Sequence, residues 1–155
     1  MTVKAANPVA QAALIQVEVH LPGRDRAFLE LDVVNGLIRS AKLTGSGCPQ
    51  FLKLLQAWRP KLTGDLNALT VPEGTDHAAI LLREAILRAK GEWHFPYEEE
   101  EICHCRAIAT SKVDAAVIAG CHNIRSVARE TSAGTSCGSC RPHTEAIIAY
   151  RLSGK

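Results

Sequence analysis

Charge of one sign is in short supply: 18 lysines and arginines stand against 16 aspartates and glutamates, a formal net charge of +2 over 155 residues. Without a strong basic excess there is no electrostatic reason to expect nucleic acid as a partner. Long apolar runs are missing too. No stretch approaches the roughly 20 apolar residues that span a bilayer, so no membrane span is expected. The first residues lack the basic start and apolar run of a signal peptide. There is no internal repeat, no Ser/His/Asp grouping with an identifiable context, and no glycine loop built for phosphate. The sequence carries no enzyme signature, and none is expected.

What is there suffices for a core: 46% of residues are hydrophobic and 22% charged, close to an average globular chain. The length suits one or two compact domains. Six cysteines in a chain without an export signal point to metal or redox chemistry before disulfides. A reducing cytoplasm is the expected compartment.

Residues 1–11 carry no periodicity and read as a loose end. From Ile15 the pattern alternates, with Ile15, Val17, Val19 and Leu21 apolar and Gln16, Glu18 and His20 polar, which is a half-buried strand. Pro22-Gly23-Arg24-Asp25 supplies a turn, and Ala27, Leu29, Leu31 and Val33 mark a second strand. Asn35-Gly36 is a hairpin signal leading into a third strand over 37–43. Two helices should cover the apolar face of this antiparallel meander. One starts at Pro49 and buries Phe51, Leu52, Leu54, Leu55 and Trp58. After a connection with a helical turn near Asn67, the other is capped by Asp76, stops at Gly91, and buries Ala78, Leu81, Leu82, Ala85 and Ala89.

The expectation is an α+β domain over 12–91, an acidic solvated linker over 92–101, and a small all-α domain over 102–152. In the last, Ser111 can cap a helix with Asp114 completing a capping box, and Gly120 ends it. Asn123 or Ser126 starts the next helix. A final one begins at Cys140 or Arg141 and runs to Leu152.

Four cysteines fall in two pairs around these helices: Cys103-His104-Cys105 and Cys137-Gly138-Ser139-Cys140. Thiolates one or two residues apart can grip one metal from a short turn. Structural zinc prefers paired cysteines two to four residues apart, whereas a [2Fe-2S] cluster takes four thiolates at varied spacing. The spacing alone leaves both open.

Residues 102–152, with C-x-C, a stretch of just over thirty residues, and then Thr131-Ser132-Ala133-Gly134 ahead of C-x-x-C, resemble the BFD-like [2Fe-2S] family. That resemblance implies a [2Fe-2S] cluster held by Cys103, Cys105, Cys137 and Cys140. Gly134 and Gly138 would let backbone N–H groups approach the sulfurs, and the last helix would turn its N-terminus to Cys140. Arg106, Lys112, Arg125, Arg129, Arg141, Arg151 and Lys155 outnumber Asp114, Glu130 and Glu145, and offset the cluster's charge. Four cysteines complete the ligand set, so His104, His122 and His143 are expected to stay outside it, with His104 facing solvent. Cys121 is expected to be a free thiol.

The meander, the segment Val33-Val34-Asn35-Gly36-Leu37-Ile38, Gly45-Ser46-Gly47-Cys48 and the two helices resemble the NifU/IscU scaffold domain. Of that family's three cysteines only Cys48 is at a matching position, and His77-Ala78 occupies the start of the second helix. One cysteine cannot hold a two-iron cluster. Cys48 is expected to be a structural thiol, with Cys48, His77 and Asp76 a poor zinc site as the alternative. The two resemblances imply a redox or electron-transfer protein that docks on a larger partner, either an oxidoreductase or the iron–sulfur assembly machinery. The alternatives are an assembly accessory or a metal-stapled binding module, and the N-terminal domain could support an oligomer.

Overall fold

Alternating side chains do build the first half of the chain. The computed structural model describes residues 11–154, so the loose end expected over 1–11 lies, but for Gln11, outside the described residues, as does Lys155. Strand β1 (Ala12–His20) begins three residues before Ile15, the start its pattern predicts. It pairs antiparallel with β2 (Arg26–Val34), which pairs with β3 (Leu37–Ser46). Asn35 and Gly36 turn the second hairpin at φ 51° and 79°, values that asparagine and glycine tolerate. A short β4 (Gly64–Asp65) joins the far side of β3, so the expected three-stranded meander is a four-stranded antiparallel sheet.

Val17, Val19, Leu29, Leu31, Val33 and Leu43 leave the sheet on one face and are buried. Helices α1 (Pro49–Trp58) and α2 (His77–Lys90) cover them. In α1, Phe51, Leu55 and Trp58 are buried, whereas Leu52 points outward at 40% exposure. Two 3-10 turns, Arg59–Lys61 and Leu66–Ala68, lie between them, and in the second Asp65 accepts the Asn67 N–H at 2.8 Å. Asp76 caps α2 through Ala79 N–H at 3.1 Å, and Gly91 ends it at φ 73°. The expected stripe of α2 is buried, but so are Arg83 and Glu84 on its other side. A second body of the protein covers them.

That body is reached through residues 92–100, which are a strap as well as a linker. Every second residue is aromatic: Trp93, Phe95 and Tyr97 are half-buried, while Glu98, Glu99 and Glu100 are exposed. Trp93 meets Tyr150 edge-on with ring centroids 5.0 Å apart, and the Tyr150 hydroxyl accepts His94 N–H at 2.6 Å. The Tyr97 hydroxyl donates to the Glu101 carbonyl at 3.1 Å.

Beyond the strap the chain is not all helical, as the sequence suggests. A two-stranded hairpin comes first, β5 (Glu101–Cys103) with β6 (Ile108–Ala109). Helices α3 (Thr110–Ala119), α4 (Ile124–Thr131) and α5 (Arg141–Ser153) follow. Their core is built from Ile102, Ile108, Val113, Val117, Val127 and Ile147. Asn123 caps α4 as its side chain allows. Ser111 does not cap α3, because the cap position falls two residues earlier at Ala109, and Asp114 has another partner.

That partner is Arg151. Its guanidinium, 4% exposed, donates to Glu84 Oε2 of α2 at 2.6 Å and to both Asp114 oxygens of α3 at 2.7 Å. It also lies 4.8 Å from the Trp93 ring centre. Arg151 thus joins the sheet-covering helix, the strap and the second core at one point, and burial opposes its charge while the two carboxylates hold it protonated. Among the described residues no helix is long and apolar enough to cross a membrane.

Removing only the cation strips Asp114 of its guanidinium and leaves the buried Glu84 with Arg88 alone. Arg151→Met should lower unfolding free energy by about 3–5 kcal/mol, whereas the combined Glu84→Gln, Asp114→Asn, Arg151→Met chain should recover most of that loss. Urea melts of the three proteins at neutral pH check both expectations.

Candidate metal centre

The two cysteine pairs stand on three short pieces of backbone. Cys103 ends β5, and Cys105 sits in the turn to β6, where Ala107 takes φ 51°. After α4, Ser132 at φ 70° and Gly134 at φ 76° fold the chain back toward that turn. Gly138 at φ 73° curls the second pair, and Cys140 becomes the residue on which α5 begins.

Four sulfurs meet there. Cys103 Sγ lies 3.6 Å from Cys105 Sγ, which lies 3.5 Å from Cys137 Sγ. Cys140 Sγ is within hydrogen-bonding reach of Cys103 on the other side. The sulfurs therefore run in a chain, Cys137 to Cys105 to Cys103 to Cys140. Among the described residues, the one trio of metal-ligating side chains whose donor atoms all lie within 4.8 Å of one another is elsewhere, at Asp25, Cys48 and His77. A tetrahedral zinc would draw every pair of its sulfurs to about 3.8 Å. The four sulfurs lie close enough together to serve one thiolate-bound group.

The surroundings favour the thiolate at Cys103 and Cys137 and oppose it at Cys105 and Cys140. Burial pushes the Cys103 thiol up, but the N–H groups of Gly134 and Arg106 and its neighbouring thiols outweigh it, and the pKa ends below its ordinary value. The Ser139 hydroxyl, 3.1 Å from Cys137 Sγ, and the Ser139 N–H bring Cys137 down to about 7. Cys105 receives the Cys137 N–H, yet its sulfur neighbours leave it raised. Cys140 is raised by burial, despite its place at a helix N-terminus. Cys103 and Cys140 are buried, while Cys105 and Cys137 are exposed. Four convergent sulfurs with N–H groups aimed at them make a donor set with the chemistry of an iron–sulfur centre.

Arg141 secures the loop. Its guanidinium donates to the Gly134 carbonyl through Nε at 3.3 Å and Nη2 at 3.1 Å, while the Gly134 N–H serves Cys103. Gly134 has no room to spare: a Cβ would meet Arg141 Cγ at 3.3 Å and Cys140 Sγ at 3.6 Å.

The three histidines stay off the sulfurs. His104 is exposed, and a 2.7 Å contact with Glu101 raises its pKa. His143 packs its ring 4.9 Å from that of Tyr97, and His122 lies beside α4 and α5. Cys121 packs against the C-terminal core, apart from both pairs. The carboxylate role of Asp114 and the aromatic strap were missed from sequence. The alternation of Trp93, Phe95 and Tyr97 was the available signal for the latter.

In metal-free protein, Cys137 should be the fastest thiol to alkylate near neutral pH. Its thiolate forms as pH rises through about 7, so the iodoacetamide rate should climb across that range, and Ser139→Ala should move the climb to higher pH. Peptide mapping after timed alkylation reads this out. Separately, Gly134→Ala places an L-residue in a left-handed conformation that costs roughly 1–2 kcal/mol, and should speed iron loss from the loaded protein, followed by visible absorption.

Comparison with known proteins bears on the same residues. The large subunit of nitrite reductase (NADH) from Escherichia coli (strain K12) is 29% identical over 89 residues, which cover 57% of this chain and 10% of that subunit. The chain thus corresponds to about a tenth of that relative's length. No solved structure matches. Neither match names the NifU/IscU scaffold expected over 12–91. Residues 101–150, which contain all four converging thiols, match the family model of the BFD-like [2Fe-2S] binding domain, and this part of the chain is such a domain.

Proposed function

We propose that this protein is an electron carrier whose [2Fe-2S] cluster is held by Cys103, Cys105, Cys137 and Cys140, and which works by docking on a larger oxidoreductase. A [2Fe-2S] cluster supplies one-electron chemistry when bound. The observation that carries the reading is the convergence of the four thiols at the protein surface, with Cys105 and Cys137 exposed and Cys103 and Cys140 buried. A partner could approach the exposed rim closely, while the buried pair and the Gly134 N–H anchor the donor set from behind. The match of residues 101–150 supports the cofactor, and the similarity to a nitrite reductase subunit supports a redox setting.

The chain's own residues prepare the site for charge. N–H groups of Gly134, Arg106, Cys137 and Ser139 point at sulfur and favour the more negative state. The Arg141 guanidinium holds the Gly134 peptide in place and adds positive charge beside it. On this reading the protein is a carrier and not an enzyme, and it works in a cytoplasmic setting.

Anaerobically purified protein should contain about two irons and two sulfides per chain and show visible absorption that bleaches on dithionite reduction. An electron paramagnetic resonance signal should appear on reduction and vanish on reoxidation. Cys103→Ser should lose the absorption. A chain that holds a lone zinc on four sulfurs, or one that hands its iron to an apo-acceptor faster than it exchanges electrons, would refute the carrier role.

A further inference from the structure

Of the four thiols, Cys137 alone has a side-chain hydroxyl against it among the described residues: Ser139 Oγ stands 3.1 Å from its sulfur. Gly138, at φ 73°, makes that contact possible. The left-handed residue folds the backbone so that Ser139 comes back over Cys137, and the Ser139 N–H is aimed at the same sulfur. Arg141 lies across this turn and leaves it little freedom, since a Cβ on Gly138 would meet its guanidinium carbon and Nε at 3.2 Å. Cys105, the other exposed thiol, receives the Cys137 N–H and no hydroxyl. The two halves of the exposed rim are therefore unlike.

Between a thiol and a hydroxyl either atom can donate. Metal binding fixes the direction. A ligating cysteine has lost its proton, so the serine holds the one hydrogen in the contact and must donate it, with the Cys137 sulfur accepting. Such a bond strengthens as the sulfur becomes more electron-rich, because a charged acceptor holds a donor more tightly than a neutral one. It therefore stabilises the reduced state more than the oxidised one. Ser139 is exposed, and among the described residues its hydroxyl has no other partner, so nothing else competes for its proton but water.

We propose that the Ser139 hydroxyl sets the reduction potential of the group held by the four thiols, by donating to Cys137 Sγ and favouring the state that carries one more electron. Ser139 is a positioning residue: it is not a ligand, and it acts through Cys137. The inference rests on the [2Fe-2S] reading above and adds to it the side chain that tunes the centre. The electron comes from an external one-electron donor, and the serine proton stays on its oxygen throughout.

The test uses the full chain, loaded with iron and sulfide anaerobically and titrated with dithionite against redox dyes, with visible absorption and electron paramagnetic resonance as readouts. Ser139→Ala removes the hydroxyl and keeps the backbone N–H at that position, whereas Ser139→Thr keeps both. At a fixed ambient potential the reduced-to-oxidised ratio should fall about tenfold in Ser139→Ala, a downward shift of about 59 mV for a one-electron couple. Ser139→Thr should titrate with the parent. Ser139→Gly, also without a hydroxyl, should fall like Ser139→Ala, and it stands in for that variant if the latter does not load. A Ser139→Ala chain at the parent potential overturns the inference and leaves the electron-carrier reading intact. Equal falls in Ser139→Ala and Ser139→Thr overturn it too, since packing of the turn and not the hydroxyl then sets the potential. If neither hydroxyl-free variant takes up iron while Ser139→Thr does, the hydroxyl serves assembly and the tuning role is overturned. A parent chain that takes up no iron and sulfide overturns the electron-carrier reading as well.

Discussion

The buried guanidinium of Arg151 is the constraint on which the arrangement of the whole chain turns. It is the point where α2, α3, α5 and the aromatic strap share one charge network. Taking one cation and two carboxylates out of water is expensive, and short, well-directed hydrogen bonds must offset it. The geometry that results is restrictive: α5 can sit on α2 in one register only. Apolar packing alone, such as Ile118 reaching into the first core, would tolerate more sliding.

Helix α5 links this network to the metal centre. Cys140 stands at its start and Arg151 near its end, eleven residues on, a span of about 16 Å in an α-helix. Pro142 and the Arg141 clasp to Gly134 fix the first turn, and the ion pairs fix the last. The four sulfurs are thus held from two directions: locally by left-handed turns and N–H groups, and remotely by a helix whose far end is bonded to α2 and α3.

Much of the fold is legible because it is local. Asn35-Gly36 names its hairpin, Asp76 and Gly91 bracket α2, and the alternation through β1 and β2 sorts the two faces of the sheet. The paired cysteines mark a metal site in the same way, since each pair lies within one short turn, though its spacing alone does not name the metal. What stayed hidden depends on residues far apart. Asp114 looks like half of a capping box until Arg151, 37 positions later, takes it. Asp25 looks like an ordinary turn residue until Cys48, 23 positions on, donates to it. The hairpin around Cys103 was invisible because its strands are two or three residues long, too short for alternation to register. The acidic run after Tyr97 likewise masked the aromatic residues before it.

The unequal exposure of the four sulfurs divides them into an outer and an inner pair with different access to oxidants. Cys105 and Cys137 stand in the open with their sulfurs in contact, while Cys103 and Cys140 are sheltered. In metal-free protein the outer two are therefore the pair that dissolved oxygen would reach first, and a cystine formed between them would have to be reduced before metal could return.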